Sequence, residues 1–420
     1  MRLNRRGVLR GIGGLGATAA LSGCLNVQEQ KSQSSTSGSI DDSNGPSSTA
    51  TTWYMLPETE LPLRESVIQT FNEQSKHTIE GSDISDLKKK TTSAIPTGQG
   101  PHTFEWAHDW VGDYSQRSFV VDQRDAINTS LDSFTESAAK AVQYDGTLVG
   151  LPHSAETVSL IYNTEIVDQA PKTVSEMVSM MEAYHDPSAN QYGLSYPFNP
   201  YFVSAWLQAF GGYYFDASKD RALGIDTAET IRGLSFALDT FKPFMPSDPT
   251  YEPQAAAFAE GNAAFAINGP WYLSTLNEKN INYEVTTLPT AKEAGGTPKP
   301  YTGITLWYFT PAMQEDTTAG AAARTFIEWF VTNEDHILKR AKEQGSIPVL
   351  NSLVGSEKLP PAVKSFSQSV EMGTPMPIRP KMNTVWPQME TALIKVFNGE
   401  ESPKAVLNQT ATSIRDSWSK

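Results

Sequence analysis

Two carboxylates in this chain lie beside aromatic rings, at Trp106-Ala-His-Asp109-Trp110 and at His153-Ser-Ala-Glu156-Thr. Further rings occur at Asn199-Pro-Tyr201, at Asn268-Gly-Pro-Trp271 and at Trp386. A pair of carboxylates is the equipment of acid–base glycoside hydrolysis. It is equally the equipment for holding a sugar without cleaving it. Aromatic rings cover the flat apolar faces of a pyranose, and carboxylates accept from the hydroxyls around it. Other chemistries find little support. The six histidines, at 77, 102, 108, 153, 185 and 336, show no metal-ligand spacing. Cys24 is the single cysteine, which excludes an internal disulfide and a cysteine metal site. Neither a nucleophile elbow nor a phosphate-binding P-loop occurs in the expected folded part, and no cofactor is expected.

These residues need a scaffold, and the hydrophobic pattern predicts an α/β one. Strands are expected over 51–56, 103–106, 147–152 and 158–162. Helices are expected over 63–74, 228–241 and 321–331. Two more follow in the tail. One starts at Trp386-Pro387 and stops at Gly399; the other has Ser402 as cap and Pro403 in its first turn. Short strands alternating with helices predict mainly parallel sheets. Asp109 then follows a strand end, where such a fold opens its crevice. Roughly 370 folded residues exceed one typical core, so two lobes are expected.

The first residues carry an address. Arg5-Arg6, apolar Val8-Leu9, a short weakly apolar run and Leu21-Ser-Gly-Cys24 form a twin-arginine leader ending in a lipoprotein box. The run falls short of the roughly 20 apolar residues that a membrane span needs. Gly11-Ile-Gly-Gly-Leu-Gly16 imitates a dinucleotide fingerprint. It is rejected, because it lies in a leader that is expected to be removed. From 24 to 51 the Ser/Thr/Gly/Gln/Asp composition predicts a disordered tether behind a lipid on Cys24. Loss of the leader's four arginines leaves 29 Lys and Arg against 47 Asp and Glu, a formal charge of -18 rather than -14. So acidic a surface argues against nucleic acid as a partner. It fits a neutral ligand and the salty habitat of a haloarchaeal host.

Five stretches resemble the maltose/maltodextrin-binding proteins of ATP-driven sugar importers. They are Gly100-Pro-His-Thr-Phe-Glu-Trp-Ala-His-Asp109, Glu156-Thr-Val-Ser-Leu-Ile-Tyr-Asn163, the run Tyr201 to Gly212, the run Ala256 to Trp271, and Pro380-Lys-Met-Asn-Thr-Val-Trp386. Their order and spacing hold from Thr51 to Lys420. The resemblance implies a two-lobe periplasmic-binding-protein-like fold with a ligand cleft and a hinge. The first lobe would comprise 52–156 and 303–352, the second 157–302 and 353–420, and closure would be a hinge motion. It implies a monomeric receptor, not an enzyme. The receptor would sit by its lipid on the outer face of the cell membrane and pass an oligosaccharide to ABC permease subunits.

Carried over by position, Trp106, Asp109 and Glu156 would be sugar contacts of the first lobe. Tyr201, Trp271 and Trp386 would stack from the second, with Tyr251 as a further candidate. The sequence also departs from the best-known relative. Trp110 replaces an arginine, Asn199 a glutamate, Pro387 a tyrosine and Glu390 an arginine. An early Asp-Lys pair falls near Pro57-Glu58, where only Glu58 or Glu60 could substitute. The stacking frame is thus kept while polar partners are exchanged. Maltose or maltodextrin is the leading ligand, with trehalose, sucrose or a polyol as alternatives, and a glycoside-active enzyme using Asp109 and Glu156 as a distant one.

Overall fold

The computed structural model describes Ile40 and residues 45–419. The expected leader, Cys24 and most of the expected tether lie outside the described residues. The first strand, β1 (Thr49–Tyr54), begins inside the stretch expected to be tether. Among the described residues no helix is long and apolar enough to cross a membrane.

Two sheets organise the chain. The first uses β1, β2 (Thr78–Asp83), β3 (Thr103–Ala107) and β4 (Gly150–Glu156), joined from far along the chain by β9 (Tyr301–Phe309) and β10 (Ile347–Pro348). Its order is β10-β4-β9-β3-β1-β2. The second uses β5 (Ser159–Asn163), β6 (Tyr192–Ser195), β7 (Ala263–Asn268) and β8 (Tyr283–Thr286) in the order β8-β5-β7-β6. Only two residues separate β4 from β5, so the chain leaves one sheet and enters the other almost directly. It returns along β9, and crosses again where β11 (Thr374–Pro375) pairs beside Tyr301 at the start of β9.

The expectation of mainly parallel sheets needs correction. β1 pairs in parallel with β2 and β3, and β6 with β7. β9, however, runs antiparallel to both β3 and β4, and β5 runs antiparallel to β7 and β8. The reason is the route: a strand arriving from the other lobe enters the sheet from the opposite end.

Helices form where the apolar spacing placed them, with local stops and starts. Val67, Ile68 and Phe71 bury one face of the helix Leu61–Gln74. The helix Ala228–Phe241 buries Leu234, Leu238 and Phe241 and starts at the cap Thr227. Ser402 caps Pro403–Trp418 through Ala405 N–H. The preceding helix differs from expectation. It spans Met382–Phe397, so Pro387 lies inside it rather than at its start. Proline lacks the N–H that would bond one turn back, a loss confined here to the second turn.

The first sheet's core gathers rings. Phe326, fully buried in the helix Thr317–Thr332, meets Phe71 edge-on at 5.2 Å and Trp307 at 5.5 Å. Truncation of such a ring leaves a cavity that the surrounding β1, β9 and helix cannot collapse into. Phe326→Ala is therefore expected to lower unfolding free energy by about 3–5 kcal/mol in urea titration. A loss below about 1 kcal/mol would mean that this ring is not part of the packed core.

Candidate functional site

The ends of β3 and β4 and the turn after β7 converge on one cleft of about 340 Å³, lined among others by Trp106, Glu156, Tyr201 and Trp271. Trp106 is the penultimate residue of β3. The turn that follows is pinned from β9: Ile304 N–H donates to Nδ1 of His108 (3.0 Å), and the Tyr308 hydroxyl donates to the Ala107 carbonyl (2.6 Å). These bonds place Asp109. Its Oδ1 is buried and has no hydrogen-bond partner among the described residues.

Glu156 ends β4 directly opposite Gly303 of β9. A Cβ at 303 would stand 2.4 Å from both Cγ and Oε1 of Glu156. Glycine is what lets this carboxylate lie against the neighbouring strand. Trp271 relies on a similar allowance. A Cβ at Gly269 would come within 2.2 Å of its indole. Tyr201 enters on the helix Pro200–Leu207, whose cap is Asn199. The Tyr201 and Trp271 rings are 6.2 Å apart and inclined at 46°.

Electrostatics tie three of these groups together. Burial pushes Asp109 up to about 7, against the pull of Lys88. Burial likewise lifts Glu156 to about 7, and the charge of Asp109 adds to the effect. Burial raises the Tyr201 phenol well above its usual range, and Glu156 and Asp109 raise it further. The Tyr201 hydroxyl is itself buried without a partner among the described residues. The three groups therefore present acceptors and a donor suited to neutral hydroxyls.

Beneath the cleft lies an ionic network that the sequence reading did not find. Glu105 of β3 receives both Nη atoms of Arg64, one at 2.9 Å. His153 Nε2 is 2.8 Å from the same carboxylate. Arg340 Nη1 lies 3.2 Å from His153 Nδ1. Arginine only donates, so Nδ1 accepts and the proton sits on Nε2. Burial alone would raise Glu105, but Arg64 and His153 outweigh it and hold the carboxyl far below its ordinary value. Burial lowers His153 to about 4. The available signal was a charged residue amid the apolar types of a core strand. Among the described residues no group of His, Cys, Asp and Glu gathers as a metal site would.

The other expected site residues are placed as follows. Trp110 lies behind the cleft wall, stacked between Trp106 (4.9 Å) and Tyr114 (5.2 Å). Asn199 spends its Oδ1 on the N–H groups of Tyr201 and Phe202 (3.1 and 3.2 Å). Tyr251 begins a helix and meets Phe202 edge-on at 6.0 Å, beside the cleft-lining Trp271. Trp386 packs edge-on against Tyr301 at 5.6 Å, and its Nε1 is buried without a partner among the described residues. Glu58 and Glu390 are exposed and outside the lining. Glu60, two residues after Glu58, lines the cleft instead, because the turn Glu58–Glu60 rotates it inward.

Known proteins show the same frame. A family model described as bacterial extracellular solute-binding protein matches residues 66–365. A maltotriose-binding protein of Pyrococcus abyssi is 35% identical over 351 residues, covering 82% of this chain and 76% of the relative. A cyclo/maltodextrin-binding protein solved with maltotetraose aligns with a TM-score of 0.73 at 25% identity, over 89% of this chain and 98% of that one. In fold, a Thermus thermophilus maltotriose-binding protein solved with maltotriose aligns with a TM-score of 0.78 at 24% identity, over 88% and 99% of the two chains.

The raised carboxylates have a thermodynamic signature. Asp109 and Glu156 titrate near 7 when folded, against ordinary values of 3.8 and 4.5. Their protonation supports the fold at low pH, and that support is lost as pH rises through about 7. His108 and His153, lowered to about 4 by burial, act in the opposite direction: their contribution is lost as pH falls below 6.5. Comparison with D109N/E156Q isolates the carboxylates. The melting temperature of the double variant relative to wild type is expected to rise by at least about 3 °C between pH 5 and pH 8. A difference independent of pH would contradict the raised values.

Proposed function

Since the chain belongs to the bacterial extracellular solute-binding protein family, we propose that it captures maltose- and maltodextrin-type oligosaccharides and delivers them to an ABC transporter permease. The observation that carries this reading is the cleft wall of Trp106, Tyr201 and Trp271 set against Glu156 and Glu60. Rings cover the sugar faces, and the buried oxygens of Asp109, Glu156 and Tyr201 pair with hydroxyls. Trp386 and Tyr251 lie outside the cleft lining and pack behind it, and Trp110 stiffens Trp106 from behind. The maltotriose-binding relative from Pyrococcus abyssi supports a short maltodextrin over trehalose, sucrose or a polyol.

On this reading the lobes are 52–156 with 303–352 and 157–302 with 353–420, and sugar draws them together about the crossings near 157 and 301–303. The leader directs export by the twin-arginine route, and a lipid on Cys24 holds the receptor, as a monomer, at the outer face of the membrane. The acidic surface suits a haloarchaeal host. The protein is a carrier and leaves the glycosidic bond intact.

Intrinsic tryptophan fluorescence, titrated with maltose, maltotriose and longer maltodextrins in low and molar salt, tests this proposal. Saturable binding is expected at micromolar or tighter affinity, about -8 kcal/mol. Trp271→Ala is expected to weaken it at least about tenfold, or 1.4 kcal/mol. Silence across the panel in both salts would overturn the ligand class, and newly formed reducing ends would overturn the carrier role.

A further inference from the structure

The Oδ1 of Asp109 is buried, and no group among the described residues orients it. The direction of that carboxyl is therefore set by the backbone that carries it. That backbone is held from outside its own strand. The residue before it, His108, is 3% exposed, and burial keeps its ring neutral. Ile304 N–H of β9 donates to Nδ1 (3.0 Å), which leaves the ring's proton on Nε2. The same ring bonds to the backbone of Met376. Met376 N–H is already spent on the Thr302 carbonyl (3.0 Å), so it is the Met376 carbonyl that receives the ring's N–H.

Three segments thus meet on one imidazole: the turn after β3, the crossing in β9, and the crossing that continues from β11. His108, Ile304 and Met376 also share the wall of a second cavity of about 800 Å³, and Ala155 borders both this cavity and the cleft. The far side of the Asp109 turn is held by the same crossing. Gly112, in the helix Val111–Gln116, lies so close to it that a Cβ would stand 2.0 Å from the Ile378 carbonyl oxygen. An acceptor on one edge and a donor on the opposite edge, spanning two main chains, is what a neutral imidazole offers. Asparagine reaches only the first partner and glutamine only the second.

We infer that His108 is a positioning residue for sugar capture: its ring fastens the turn bearing Asp109 to the crossings at 301–304 and 374–378, so that these crossings, and not β3 alone, hold the carboxyl in its binding position. This rests on the sugar-binding reading above.

A double-mutant cycle with Asp109 tests the inference. Each variant is titrated with maltotriose by tryptophan fluorescence and checked for folding by circular dichroism. His108→Phe keeps a flat ring and removes both bonds, and it is expected to weaken binding at least about tenfold. His108→Asn and His108→Gln each keep one bond, and each is expected to recover at least about threefold of that loss. Asp109→Asn, expected to weaken binding by itself, supplies the second background. There His108→Phe is expected to cost less than about threefold more, because the group it positions is already altered. Equal losses in both backgrounds would mean that the ring serves the fold alone and would overturn the positioning role. So would undiminished affinity in folded H108F or in D109N, or recovery by neither H108N nor H108Q. These outcomes leave the sugar reading standing. If H108F does not fold, H108Q takes its place in both backgrounds, with the same contrast expected between them. A wild type that binds no maltodextrin would overturn both readings.

Discussion

A carboxylate in the middle of a core strand governs the architecture of this molecule. Glu105 cannot be buried alone, because an unpaired charge in such a place costs several kcal/mol. Its partners must therefore arrive from elsewhere: Arg64 from the first helix, His153 from β4, and Arg340 behind His153. Arg64 also lies within about 5 Å of the ring centres of Tyr54, Trp307 and Phe330, so the cation is satisfied by faces as well as by charge. Four distant stretches of chain are thereby fixed to one another beneath the cleft floor. Trp106, the next residue in β3, turns to the other face and stacks on Trp110. Alternation along one strand thus sends the ionic anchor and the indole to opposite sides, and both border the cleft.

The anchoring explains how a cleft between two lobes can be well defined. On the first-lobe side the network and β9 hold the walls: β9 pins the turn at 107–109 and lies against Glu156 through Gly303. The segments that follow strands of the second sheet supply Tyr201 and Trp271 from a helix start and a turn, each set by a local device. Asn199 caps one, and the bare backbone at Gly269 admits the other. The lobes communicate through short crossings, and Thr157 Oγ1 donates to the Tyr301 carbonyl (2.9 Å), which joins two of those crossings. Residues at such points can absorb rotation while the walls remain rigid.

Much of this was legible in the chain. The helix Ala228–Phe241 was, because its apolar residues recur on one face and Thr227 is a good cap. So was the cluster of rings and carboxylates, because Trp106, Glu156, Tyr201 and Trp271 each sit in short motifs that end a strand or start a turn or helix. Strand direction was not, since a strand such as Tyr301–Phe309 looks the same whichever way the chain comes back. Trp386-Pro387 looked like a helix start because proline favours the first turn, yet the helix begins at Met382. The choice between Glu58 and Glu60 turned on the phase of a single short turn, which spacing does not reveal. The ionic network was invisible for a different reason. Arg64, Glu105, His153 and Arg340 are far apart in sequence, and only their burial distinguishes them from ordinary surface charges.

The meeting of Gly303 with Glu156 also constrains how this protein can change. A side chain at 303 would meet the Glu156 carboxylate where it now lies, so Glu156 would have to turn aside to admit it. The reverse does not hold, since shortening residue 156 requires nothing of 303. A change on one strand thus moves a carboxylate on the facing strand while leaving residue 156 itself unaltered.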